Sequence, residues 1–197
     1  MGMVTEMHLP GGGGAPGTRF NYRGMHRYLI TLLGHPSCGT IADRETVIPT
    51  RDVLRESSLA HRFDVYAYCF LPDRLALLVR GKEESADMKL FLAAFRTASG
   101  SAFSERTGRH LWSKKYQERV LRKTEVTRAI AEEIFRLPVK AGLASAADRY
   151  AFQGSFVLAG VPPPAPRRNP PRPRAGTNFR KNFRKSSAQG SRKGART

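Results

Sequence analysis

Cysteine is scarce in this chain, and its two cysteines form no recognised pattern. Cys38 and Cys69 are far apart, so they provide neither a disulfide framework nor a Cys-X-X-Cys metal motif. Cys69 lies in an apolar segment of strand character, where a reduced thiol in the core is the expected state. The cysteines therefore point to neither a disulfide nor a metal centre.

Long apolar runs are also absent. No stretch approaches the roughly 18 residues that a membrane span requires, and the N-terminal segment lacks the pattern of a signal peptide. From these two absences we expect a soluble, cytoplasmic protein.

Acidic residues are few. Sixteen Asp and Glu against 34 Lys and Arg give a formal net charge of +18. Residues 167–197 contain eleven of these cations and no acid, which leaves +7 on residues 1–166. Such an excess favours nucleic acid, ribosomal or other anionic partners.

Glycine and proline concentrate at the two ends and divide the chain into three parts. We expect residues 1–22 to be a flexible lead-in and residues 23–155 to form one nucleic-acid-binding domain. Residues 156–197 are Pro-rich and then basic, a composition typical of disorder. The apolar content of 40% is sufficient for a core in the middle part.

The middle part predicts secondary structure in the order β-α-β-β-α-β. Strands are expected over 26–33, 65–71, 75–79 and 116–121. Helices are expected over about 50–61, 86–105 and 124–136, with 35–48 as a loop, Ser85 as a helix cap and a helical turn near 146–150. This order is the split β-α-β, or ferredoxin-like, pattern of an α+β fold with an antiparallel sheet packed by helices.

The central strand pair carries most of the information. Two apolar runs flank Pro72-Asp73-Arg74, which indicates a turn between paired strands. Alternation along the second run places Arg74 and Ala76 on one face and Leu75 and Leu77 on the other. One face is expected in the core, and the other is where chemistry could take place.

Three sequence blocks carry a resemblance to a known family. Residues 67–76 are similar to Ala-Tyr-Cys-hydrophobic-Met-Pro-Asn-His-Val-His, and residues 108–116 to Gly-His-Leu-Trp-Gln-Gly-Arg-Phe. Residues 133–143 are similar to Tyr-Ile-His-Leu-Asn-Pro-Val-Arg-Ala-Gly-Leu. With these blocks in the right order over residues 22–155, the chain resembles the REP-associated tyrosine transposases of the single-tyrosine HUH group.

The resemblance implies a chemistry as well as a fold. In that family a tyrosine hydroxyl attacks a DNA phosphate and forms a covalent phosphotyrosine. Two histidines on one strand face, with a polar residue one helical turn after the tyrosine, bind a divalent metal such as Mg²⁺. The implied partner is single-stranded or hairpin DNA.

The chain departs from the family at four chemical positions. Arg74 and Ala76 stand at the two histidine positions, Glu133 at the tyrosine and Leu137 at the asparagine. A guanidinium has no free lone pair and alanine has no donor atom, so neither can bind a metal. The resemblance therefore predicts a scaffold that has lost strand cleavage, with no catalytic residue, metal ligand or cofactor.

Other residues offer two alternatives at these positions. Tyr66, Tyr68 or Tyr116 could act as a relocated nucleophile, although aromatic residues at strand spacing favour packing. Arg74 and Glu133 could form a salt bridge across the former metal site, or both could be solvated. The histidines His26, His35, His61 and His110 show no pair at ligand spacing.

Basic residues interleaved with aromatics favour binding to nucleic acid by stacking and phosphate neutralisation. The candidate binding residues are Arg74, Arg106, Arg109, His110, Trp112, Lys114, Lys115, Tyr116, Arg119 and Lys140, with Arg122, Lys123 and Arg128 as further cations. Trp112 could stack on a base or anchor its loop to the core.

A tandem Asn-Phe-Arg-Lys adds candidates in the basic tail. They are Phe179, Arg180, Lys181, Phe183, Arg184 and Lys185. This composition suits binding to RNA or DNA with weak selectivity, and the alternative is a solubilising appendage.

The sequence thus favours a DNA-binding protein derived from a tyrosine transposase, with the tail adding nonspecific affinity. The alternatives are a transposase that is active through relocated residues and an RNA- or ribosome-associated protein. Whether the chain forms a homodimer stays open.

Overall fold

The computed structural model describes residues 20–158. The strands are β1 (Arg27–Gly34), β2 (Phe63–Phe70), β3 (Arg74–Gly81), β4 (Trp112–Val120) and β5 (Gln153–Gly154). The helices are α1 (Arg44–Ala60), α2 (Met88–Thr107), α3 (Thr127–Phe135) and α4 (Leu137–Lys140), with short 3₁₀ helices at Pro36–Cys38 and Ala147–Arg149. Residues 1–19, in the predicted lead-in, and 159–197, which include the tandem motif, lie outside the described residues.

The strands form one antiparallel sheet in the order β4-β1-β3-β2-β5. Pairing of β1 with both β3 and β4 places it inside the sheet, and β2 and β3 form the predicted hairpin. The element order β1-α1-β2-β3-α2-β4 confirms the predicted ferredoxin-like α+β fold. Within residues 20–158, none of the helices has the length and apolar character needed to cross a membrane.

The sheet carries an apolar cluster on each face. On one face, Leu75 and Leu77 pack with helix residues such as Phe95 of α2 and Leu54 of α1. The other face packs against α3, in a group that we call the α3 cluster. Its buried members are Ala67, Cys69, Leu71, Ala76, Leu78, Leu121, Ala131 and Ile134. The alternation predicted for the second strand of the pair is therefore confirmed.

Both helices before β4 differ from the prediction at their N-termini. Helix α1 begins at Arg44 rather than Thr50, because the Asp43 carboxylate accepts a hydrogen bond from Thr46 N and caps it. Residues 44–48, predicted as loop, are therefore helical. Asp87, not Ser85, caps α2, and the Ser85 hydroxyl instead bonds Glu83.

The boundaries later in the chain also shift. Strand β4 begins at Trp112, four residues before the predicted start, and α3 begins at Thr127 rather than Thr124. The helical turn predicted near 146–150 is confirmed as a 3₁₀ turn, whereas the two-residue strand β5 had no sequence signal. Tyr22 and Phe156, just outside the predicted domain bounds, pack against the core.

Candidate nucleic-acid interface

Ala76 stands at a position where the family resemblance implies a metal-binding histidine. It is 4% exposed and belongs to the α3 cluster. Directly opposite residues in paired strands share a sheet face, and Ala76 is opposite Thr31 on β1 and Cys69 on β2. Burial raises the pKa of the Cys69 thiol to about 12, so it is protonated at neutral pH. The immediate surroundings of Ala76 are therefore apolar or neutral.

Arg74 pairs with its neighbour rather than with Glu133. Its guanidinium contacts the Asp73 carboxylate with a nitrogen–oxygen distance of 2.7 Å. The hydrogen bonds from Arg74 lower the pKa of Asp73. The salt bridge between Arg74 and Glu133, one of the two alternatives considered, is therefore wrong. The Arg74 guanidinium instead binds the carboxylate of Asp73, which lies at the turn between β2 and β3.

The residues at the two helical positions of the implied site also lack the geometry to bind a metal. Glu133 is exposed on α3, and Leu137 packs against the α3 cluster. The set of Arg74, Ala76, Glu133 and Leu137 offers a single carboxylate, which faces solvent. These residues do not fit a divalent metal, which needs several oxygen or nitrogen donors converging on one point. Among residues 20–158, no three His, Cys, Asp or Glu side chains are grouped as a metal site.

The candidate tyrosines are held in different parts of the fold. Tyr68 is fully buried beside Phe70, and burial raises its pKa. Tyr66 packs against the α3 cluster. The Tyr116 hydroxyl accepts a hydrogen bond from Lys89 Nζ at 2.9 Å, which ties β4 to α2. All three side chains thus take part in packing.

A basic edge lies at the end of the sheet where β1 ends. We call Arg106, Arg109, His110, Lys114 and Lys115 the basic rim. The rim follows the C-terminus of α2 and the start of the edge strand β4, where His35 N donates to Leu111 O. All five side chains are exposed. They belong to the basic tract identified from the sequence.

The rim cations differ in how far they are already paired. Lys114 and Lys115 are exposed and make no ion pair within the described part of the chain. Arg106 lies 3.7 Å from Glu45, and Arg109 makes a long hydrogen bond of 3.4 Å to Ser37 O. These contacts are solvent-exposed and weak, so a phosphate can compete for both guanidinium groups.

Other predicted binding residues lie apart from the rim or are engaged internally. Arg119 pairs with Glu125 at 2.6 Å, and Lys140 lies on α4, which contacts α3. The indole of Trp112 donates from Nε1 to Ser99 Oγ at 2.8 Å and packs against Phe95. Trp112 is therefore an anchor of its strand, although its ring also lines a surface groove.

Arg96 is a residue of this region that the sequence-based candidate set omits. Its Nη2 donates to Ser113 O at 2.6 Å and to Lys114 O at 3.1 Å, and its guanidinium lies 5.3 Å from the Tyr116 ring centre. Lys89, Arg96 and Arg106 give the helix predicted here a basic side, which was a signal for it. Only the fold shows that this side meets β4.

No protein-family model matches the chain, and neither does any curated protein. Among solved structures, the chain is similar to a REP-associated tyrosine transposase bound to a REP hairpin. The TM-score is 0.57 at 16% identity, over 71% of this chain and 82% of that one. For a Deinococcus radiodurans protein described as a transposase, the TM-score is 0.42 at 20% identity, over 61% of this chain and 94% of that one. The chain therefore has the fold of a REP-associated tyrosine transposase.

Proposed function

We propose that this protein binds single-stranded or hairpin DNA through the basic rim and no longer cleaves it. The supporting observation is a fold shared with a hairpin-bound transposase, together with apolar residues of this chain at two implied metal-ligand positions. Ala76 and Leu137 stand at those positions and pack in the α3 cluster. On this proposal the chain is a degenerate relative of the REP-associated tyrosine transposases that acts in the cytoplasm.

The loss of cleavage follows from chemistry at each position. A carboxylate at Glu133 is a much poorer route to a stable DNA adduct than a phenol. Replacing a histidine by Ala76 removes a ligand, and the surrounding apolar side chains exclude the water that would hydrate a metal. Tyr66, Tyr68 and Tyr116 are engaged in packing, which argues against a relocated nucleophile.

Binding requires less than cleavage does. Exposed cations at one end of the sheet attract phosphates, and the counterions that these phosphates release contribute to the binding free energy. This contribution does not depend on a metal. The basic residues 167–197 would add nonspecific affinity, as their composition predicts. The proposed binding unit is the domain of residues 23–155.

A competition experiment tests the proposal. The full chain is titrated with a labelled DNA hairpin carrying a single-stranded extension, and unlabelled hairpin DNA, single-stranded DNA, duplex DNA or RNA of equal length competes at fixed salt. We expect hairpin or single-stranded DNA to compete best, and no covalent adduct or nicked strand to form with Mg²⁺. Stronger competition by RNA would favour an RNA-associated role, and a Mg²⁺-dependent nick would contradict the loss of cleavage.

A charge-matched pair of variants assigns the binding to the rim. Lys114→Gln/Lys115→Gln removes two rim cations, and Arg80→Gln/Lys82→Gln removes two exposed cations at the opposite end of the sheet. The rim variant should weaken hairpin binding by about tenfold more than the control does. Equal weakening would mean that the charge acts without a defined site.

A further inference from the structure

The groove beside Trp112 combines an aromatic wall with charged ends. It lies between α2 and the start of β4 and has a volume of about 390 Å³. Its lining includes Ala93, Arg96, Thr97, Gly100, His110 and Trp112. Small side chains on α2 form the floor, and the indole forms part of the wall.

The floor of this groove is open because of Gly100. A Cβ built there would lie 3.9 Å from Trp112 Cδ1, an ordinary van der Waals distance. A larger side chain would therefore extend into the space beside the ring. Ser99 and Phe95 fix the indole from the core side, so the ring is held in place before any ligand arrives.

Positive groups flank the aromatic wall. At one end, Arg96 is fixed by the carbonyl oxygens of Ser113 and Lys114. At the other end, Arg109 directly precedes His110 in the chain, and the His110 ring lies 5.2 Å from that of His35. A planar, uncharged ring between two phosphates matches this order of cation, aromatic surface and cation.

We propose that this groove takes one unpaired nucleobase of a single strand, stacked against Trp112. The phosphates on either side of that base then contact Arg96 and Arg109. The inference rests on the proposed DNA binding and makes it more specific, because it requires a base and not only a phosphate chain. Duplex DNA, whose bases are paired and stacked, cannot supply one without opening.

The single tryptophan of the chain gives a direct readout. The full chain is titrated with a thymidine oligonucleotide and with an abasic strand of equal length, and intrinsic fluorescence is recorded at fixed salt. We expect the thymidine strand to quench Trp112 and the abasic strand to bind with little quenching. Equal quenching by both strands would overturn the base-stacking proposal.

Two substitutions on α2 locate the effect. Gly100→Leu fills the groove, whereas Ala98→Leu places the same side chain on an exposed position of the helix that does not line it. Gly100→Leu should abolish the quenching and weaken binding of the thymidine strand by about tenfold, the typical loss for one stacked base. Ala98→Leu should leave both unchanged.

The remaining outcomes separate this inference from the proposed function. If Gly100→Leu lowers the melting temperature, Thr97→Leu, at an exposed groove position, repeats the block. Full binding and quenching in a folded groove variant would overturn the nucleobase site and leave binding by the rim intact. If neither strand nor hairpin binds the unmodified chain, the proposed function itself fails.

Discussion

At the scale of single residues, the position of Ala76 shows how an apolar environment determines which chemistry a site can support. The side chain is 4% exposed, and its strand neighbours across the sheet are Thr31 and Cys69. A metal ligand here would need further ligands and water nearby. Leu137 instead packs against the same cluster.

Restoring a histidine at this position therefore should not restore a metal site. We expect Ala76→His to lower the free energy of unfolding by about 1–3 kcal/mol, because a larger polar ring enters a packed cluster. Thermal unfolding with and without Mg²⁺ checks this. The control Ala98→His, exposed on α2, should change stability by less than about 0.5 kcal/mol. A melting temperature of Ala76→His that rises with Mg²⁺ would contradict the prediction.

At the scale of elements, the connection between β4 and α3 depends on Glu125. Its carboxylate accepts hydrogen bonds from Arg119 Nη1 at 2.6 Å and from Arg122 N at 2.7 Å. Arg27 on β1 donates to the Glu125 backbone oxygen and to Thr127 Oγ1, which fixes the start of α3. Arg119 is thus a structural cation at this turn.

This connection predicts a pH dependence of stability. Burial opposes the Glu125 charge, but the hydrogen bonds from Arg122 and Arg119 hold its pKa below the ordinary value of 4.5. A lowered pKa stabilises the folded state above pH 4.5, and this contribution is lost as pH falls through the folded-state pKa. Glu125→Gln should therefore be less stable by about 1–2 kcal/mol at pH 7.

Urea unfolding at pH 7 and pH 3 measures the difference. The gap between Glu125→Gln and the unmodified chain should shrink at the lower pH. Glu132→Gln removes an exposed pair with Arg128 and should change stability by less than about 0.5 kcal/mol. An equal gap at both pH values would mean that the carboxylate charge is not the stabilising group.

The elements also show where sequence patterns were sufficient. The β2–β3 hairpin was predictable because its alternation and its Pro72-Asp73 turn are local signals. The start of α1 was not, because Pro49 inside the helix and the polar residues before it resemble a loop. The ion pair between Arg74 and Asp73 was not predicted, because the family resemblance placed Arg74 opposite Glu133 on another element.

At the scale of the whole molecule, the chain combines a defined fold with a large excess of positive charge. The basic rim occupies one end of the sheet, whereas eleven cations lie in residues 167–197. Sequence alone indicated both features and the fold class. It could not show that Arg119 is paired with Glu125, because that contact depends on how the chain turns between β4 and α3. Nor could it show that Arg96 meets β4, because that contact depends on how α2 packs beside the strand.

The two sources of charge should differ in what they contribute to binding. Changing Arg180, Lys181, Arg184 and Lys185 together to Gln removes four cations from the tail, whereas Lys114→Gln/Lys115→Gln removes two from the rim. For a single strand, each released counterion contributes about 0.7 to the slope of log affinity against log salt, so the tail variant should lose up to ~3 units of slope.

Because the binding contributed by the tail is nonspecific, the preference for hairpin over duplex should persist in the tail variant and diminish in the rim variant. Fluorescence anisotropy over a salt series measures both quantities. A tail variant that loses the hairpin preference would place recognition in residues 159–197 instead of at the rim.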